Sequence, residues 1–186
     1  MGADASVPAM AAPDTSPLLR PGLLDGVTVL AAPRTAATDA CVELGADVTG
    51  LAADLLDEEA TLAAAAHTDV LVVDGAALLG AGGPAALRDA LDGTWSAIHA
   101  HFDADAGAKV VLVGPRPDAG EHAAALRAGY ENLARVLSIE WSRHGIRITA
   151  ILPAGATADE DVAQVVAYLA SPAGDYFSGT ALELGS

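Results

Sequence analysis

Between Lys109 and Gly155 the chain reads KVVLVGPRP, then DAGEHAAALRAGYENLARVLSIEWSRHG, then IRITAILPAG. A short run that is apolar at almost every position is followed by a long segment with helical spacing and by a second such run. A strand that is apolar on both sides must be buried on both faces, and that occurs in parallel sheets covered by helices. A long helical connection between two such strands is the crossover that parallel pairing requires. This one stretch therefore places the chain in the α/β class.

The rest of the sequence repeats the alternation. Val27–Ala32 reads as a buried strand, Thr35–Leu44 as a helix stopped by Gly45, and Asp47–Leu51 as a weaker strand. Asp57–Ala66 has the acidic first turn that suits a helix dipole, and Asp69–Val73 is a third strand. Gly75–Gly83 reads as a loop rich in glycine and alanine. A helix over Pro84–Phe102 and a strand over Val110–Val113 follow. The longest helix is expected over Asp118–Arg143, with Asp118 and Glu121 at a capping-box spacing and Gly145 as its stop. Ile146–Leu152, Asp159–Ala170 and Thr180–Leu184 complete the series as strand, helix and strand. The expected fold is a doubly wound parallel sheet with helices on both faces. It forms one domain over 21–186, after a flexible arm of small residues and proline over 1–20.

Composition removes several function classes. The net charge of −16 disfavours binding to nucleic acid or to an anionic membrane surface. Lys109 is the single lysine, so other cationic roles fall to arginines. Cys41 is the single cysteine, which excludes an internal disulfide and a cysteine-based zinc site. No metal site is expected. No apolar run approaches the ~20 residues of a membrane helix. The first residues lack the basic and apolar regions of a secretion signal, and a cytoplasmic location is expected.

Seven segments, in order, resemble the short-chain dehydrogenase/reductase (SDR) family over roughly Leu23 to Ser186. LLDGVTVLAA is similar to its first Rossmann-like strand, LGADVTG to its second, and LAADLLDEEA to a segment whose aspartate meets the adenine of the cofactor, here Asp54. DVLVVDGAA stands where the family has D-V-L-V-N-N-A-G, and ALDGTWSAIHA where it has N-L-x-G-T-F. HGIRITAILPAG and VVAYLASPAGDYFSGTALELGS resemble its last segments. The resemblance implies a truncated SDR domain of Rossmann-like fold.

The functional positions depart from that pattern. Glycines after the first strand would let a backbone approach a pyrophosphate. The turn here is Ala31-Ala32-Pro33-Arg34-Thr35-Ala36-Ala37-Thr38, without glycine. Asp74 replaces an asparagine beside the adenosine region. Of the catalytic positions, asparagine aligns with Ala90, serine falls at Gly114-Pro115, tyrosine at Ala123 and lysine at Arg127. The loop that covers substrate in the family is reduced to Ala154–Ala158. No cofactor is expected in this chain, and its degenerate cofactor positions are Ala32, Pro33, Arg34, Asp54 and Asp74.

In the family, two helices from each of two subunits form a four-helix contact. The matching helices carry Trp95, Ile98 and Phe102, and Ala125, Gly129, Tyr130, Leu133 and Leu137, as expected interface residues. The expected function is a non-catalytic SDR-like subunit in a heteromeric oxidoreductase, dimer or tetramer, with NAD or NADP in the partner SDR subunit. A homo-oligomeric scaffold or binding protein, and an enzyme with reworked residues, are the alternatives.

Overall fold

The computed structural model describes residues 19–65, 67–104 and 108–185. Six strands form one parallel sheet: β1 (Thr28–Ala32), β2 (Asp47–Gly50), β3 (Val70–Asp74), β4 (Lys109–Val113), β5 (Arg147–Pro153) and β6 (Thr180–Leu184), in the spatial order β2-β1-β3-β4-β5-β6. The helices are α1 (Asp39–Glu43), α2 (Glu58–Ala64), α3 (Gly75–Leu79), α4 (Pro84–Ala104), α5 (Ala123–Glu140) and α6 (Asp159–Ala170). Most of the expected arm lies outside the described residues.

Alternation along each strand divides the core into two. Val29, Val70, Val72, Val111, Val113 and Ile151 face Cys41 of α1 and Val166 of α6. Leu30, Leu71, Val73, Leu112 and Ile148 face Ile98 of α4 and Leu126 and Tyr130 of α5. The central strands are buried on both sides, as their unbroken apolar runs require.

Three expected elements are corrected. The glycine- and alanine-rich segment after β3 opens as a helix, α3, because the Asp74 side chain accepts from the backbone N–H of Ala76 and Ala77. Helix α5 begins at Ala123, not Asp118. The Asp118–Glu121 spacing falls in a turn, and His122 precedes the helix without a side-chain cap. The segment after β1 is a single tight turn over Ala36–Thr38 running into the short α1.

The dinucleotide-binding arrangement carries a further strand outside β2. Among the described residues none lies there, so β2 is an edge. No described helix is long and apolar enough to cross a membrane.

Candidate functional site

In an open parallel sheet, ligands bind beyond the carboxyl ends of the strands where the winding reverses. That point is the gap between β1 and β3, which are neighbours in the sheet but are separated in sequence by β2. Two clefts open there. One, of about 210 Å³, is lined by Thr35, Ala37, Asp74, Gly114, Arg116 and Pro153 among others. The second, of about 290 Å³, is walled by Pro33, Leu51, Leu55, Leu56 and Leu78, with Asp54 and Asp89.

The bridge between β1 and β3 is a side-chain contact. Thr35 Oγ1 donates to Asp74 Oδ2 at 2.6 Å. The other oxygen of Asp74 accepts from Ala76 N at 3.0 Å and Ala77 N at 3.1 Å. A carboxylate thus sits on the free N–H groups that begin α3, the kind of donor set that receives anions. Thr35 Oγ1 in turn accepts from Ala37 N at 3.3 Å. Ala37 N on one side of the gap and Ala76 N and Ala77 N on the other thus already have a partner within the chain. Ala32, Ala36 and Thr38 place side chains where the resemblance has glycine, and Pro33 has no N–H. The gap between the two strand ends is thus bridged by the Asp74 carboxylate and the Thr35 hydroxyl.

Ala90 and Ala123 are buried in the core. Arg127, in the lysine position, donates through Nη1 to the carbonyls of Pro115 at 2.8 Å and Pro153 at 2.7 Å. It ties the loop after β4 to the end of β5. Tyr130, one turn later, is fully buried and shares a 2.8 Å hydrogen bond with Thr94 Oγ1, which itself donates to the Ala90 carbonyl at 2.6 Å. Burial pushes its phenol well above the ordinary tyrosine range; the Thr94 bond opposes this and the Asp74 charge adds to it. Its ring lies against Gly75, where an added Cβ would come within 2.6 Å of it.

Of the remaining positions, Asp54 is exposed and accepts from Leu56 N at 3.1 Å. Arg34 is exposed and donates to the Val48 carbonyl at 3.4 Å. The short loop Ala154–Ala158 is fastened by Thr157, whose hydroxyl accepts from Ala154 N at 2.9 Å and donates to the Leu184 carbonyl at 3.3 Å. Sequence reasoning passed over Arg116. It donates through Nη2 to Thr157 O and Asp159 Oδ1, both at 2.6 Å, and so closes the far wall of the first cleft. Its signal was an arginine directly after an apolar strand and an acidic helix start at Asp159–Asp161. Among the described residues no cluster of three or more metal-ligating side chains occurs.

The eight expected interface residues divide. Ile98, Tyr130 and Leu137 are 0%, 0% and 3% exposed and belong to the core of this chain, so they face no neighbour. Gly129 permits contact within the chain, since a Cβ there would meet Leu91 of α4 at 2.9 Å. Phe102 stacks on Trp141 at 4.6 Å, and Leu133 packs at the margin of the core. Ala125 is exposed, and Trp95 is exposed while stacking on His99 at 5.9 Å.

No family model and no curated protein matches the chain in sequence. Solved structures match in fold. BdcA from E. coli is 22% identical with a TM-score of 0.68, the match covering 87% of this chain and 100% of that one. The citronellol catabolism dehydrogenase AtuB of Pseudomonas aeruginosa PAO1 is 20% identical with a TM-score of 0.69, over 90% of this chain and 96% of that one. A short chain dehydrogenase from Mycobacterium smegmatis is 22% identical with a TM-score of 0.69, over 89% and 94%. The chain has the short-chain dehydrogenase fold.

Proposed function

We propose that the chain is a non-catalytic member of the short-chain dehydrogenase/reductase family. Its task is assembly with a catalytically competent SDR-fold relative, which supplies the NAD or NADP site. One observation carries the reading. At the point where a dinucleotide would cross the sheet, Asp74 bridges to Thr35 and caps α3. An anion would have to displace a carboxylate from its own donors. The cation left at the lysine position supports the same reading, because Arg127 is engaged by two carbonyls and its tyrosine companion is Ala123. General acid catalysis at a substrate oxygen needs a donor within reach, and this position offers a methyl group.

Two measurements test the proposal. Calorimetric titration of the isolated chain with NADH and NADPH is expected to show no binding at micromolar concentration. Purification of the natively expressed protein is expected to retrieve an SDR-fold chain with bound nicotinamide cofactor. Micromolar cofactor affinity, about −8 kcal/mol, together with turnover by the isolated chain, would overturn it.

A further inference from the structure

The charge of this acidic chain is unevenly spread. Between Arg135 and Arg147 stand three of its nine lysines and arginines, Arg135, Arg143 and Arg147, and only one of its 25 acidic residues, Glu140. The segment closes α5, turns through Ser142–His144 and enters β5. It therefore lies at the amino ends of the strands, away from the two clefts described above. A cleft of about 330 Å³ opens there, lined by Ser138, Ser142, Gly145, Ile146, Arg147 and Ser178. No carboxylate is in its lining.

Arg147 is the group in that lining that calls for an explanation. Lys109, Arg116 and Arg127 each hold oxygens of the chain at 2.6 to 3.0 Å, and Arg135 pairs with Glu131. Arg147 is half-buried, yet its guanidinium makes a single contact among the described residues, a 3.4 Å approach of Nη1 to the Gly145 carbonyl. Most of its five N–H donors are unspent. Arg143 is exposed and touches only His144 Nε2, at 3.0 Å. The end of a helix is ordinarily hostile to anions, because its last carbonyls are unpaired. Here two of them are covered: Ser138 Oγ donates to the Arg135 carbonyl and Ser142 Oγ to the Ile139 carbonyl, both at 2.9 Å. Ser178 Oγ accepts from Ile148 N at 3.4 Å and keeps its own proton to donate.

We infer that this cleft binds the phosphate group of a small organic phosphate ester. The Arg147 fork and the Ser178 hydroxyl meet the phosphate oxygens, and Arg143 adds charge at the rim. A planar guanidinium with two parallel donors suits a phosphate better than any other side chain. The volume is at the lower end of small-molecule sites and leaves room for a compact organic group beside the phosphate. The site is at the other end of the sheet from Asp74 and Thr35, so it is independent of the non-catalytic reading.

The test uses the full chain, with glycerol 3-phosphate and inorganic phosphate as probes, read by amide chemical shifts and calorimetry. Glycerol 3-phosphate is expected to bind saturably, one per chain and more tightly than inorganic phosphate, with shifts confined to Ser138–Arg147 and the turn at Ser178. Arg147→Gln should weaken binding roughly tenfold or more, and Arg143→Gln roughly threefold. Arg147→Lys, which keeps the charge and loses the fork, should recover only part. Arg34→Gln, an exposed arginine after β1, should change nothing. Should Arg147→Gln disturb the fold, Ser178→Ala gives a second reading and should weaken binding severalfold. No saturable shift at millimolar ester, or affinity untouched by both Arg147→Gln and Ser178→Ala, overturns the inference. Equal affinity for inorganic phosphate and the ester overturns the assignment to an ester. Binding of a polyglutamate peptide without binding of the ester overturns it in favour of an acidic protein segment. Binding of NADPH at the Asp74 end would overturn the non-catalytic reading and leave this inference standing.

Discussion

The two halves of the sheet end differently. Between β1 and β3 the closing group is an anion, Asp74, held by a hydroxyl and two backbone N–H groups. Between β4 and β5 it is a cation, Arg127, held by two backbone carbonyls. Each charge is occupied by groups of the chain itself. The difference lies in what they fix. Asp74 sets a helix start and one long-range link. Arg127 joins two strand ends directly, so the β4–β5 side depends more on its charge.

The largest effect is expected from Arg127→Met, which leaves two carbonyls without their donor. Hydrogen bonds from a charged group suggest a loss of about 3 kcal/mol, on the order of 10 °C in Tm by calorimetry. Arg127→Lys should recover part of it, because one ammonium does not reproduce the geometry of a guanidinium. Asp74→Ala should cost about 2 kcal/mol as a lost cap and a lost bridge. It should not create cofactor binding, because Pro33 and the surrounding alanines remain. If Asp74→Ala proved costlier than Arg127→Met in urea titration, the ranking of the two halves would be reversed.

A smaller effect is expected at the opposite end of the sheet. Lys109 Nζ donates to the carbonyls of Ala170 and Ser171 at 3.0 and 2.7 Å and pairs with Asp175 at 2.7 Å, at the carboxyl end of α6. Lys109→Met should cost about 1 kcal/mol through the lost interaction with the helix end. The smallest is a pH effect. Burial pushes the Cys41 thiol up to about 12. A thiol held neutral in the folded state contributes stability that is complete below the unfolded value of about 8.5 and declines as pH rises above it. Denaturation midpoints should therefore fall slightly in alkali, and thiol-labelling reagents should react only as fast as the chain opens. Rapid labelling of native Cys41 would show that the α1 side of the core is looser than the α5 side.

The sheet was legible because its signal is local: apolar runs such as VLVV and VVLV dictate burial on both faces. The bounds of α6 and β6 were legible for the same reason. The beginning of α5 was misjudged because Asp118 and Glu121 satisfy a spacing rule that the turn at Gly120 overrides. The α3 helix was hidden because GAALL reads as loop until Asp74 is seen to cap it. The candidate site could be read in the sequence only as departures from the family pattern. What stands there depends on partners far apart in sequence: Thr35 with Asp74, and Arg127 with Pro115 and Pro153. A one-dimensional reading could find the arginine and the aspartate but not what each would hold. Likewise, helical spacing named Ile98, Tyr130 and Leu137 but could not separate the inward face from the outward one.

The edge at β2 has a consequence for how this protein behaves in a crowded cell. Among the described residues no strand covers β2; an uncovered ladder is open to any passing extended chain, and long, flat, apolar edges grow by adding neighbours. Here the edge is four residues long, begins with a carboxylate and ends with a glycine: Asp47, Val48, Thr49, Gly50. Arg34 also occupies the carbonyl of Val48. Brevity and charge make this border a poor template for runaway growth.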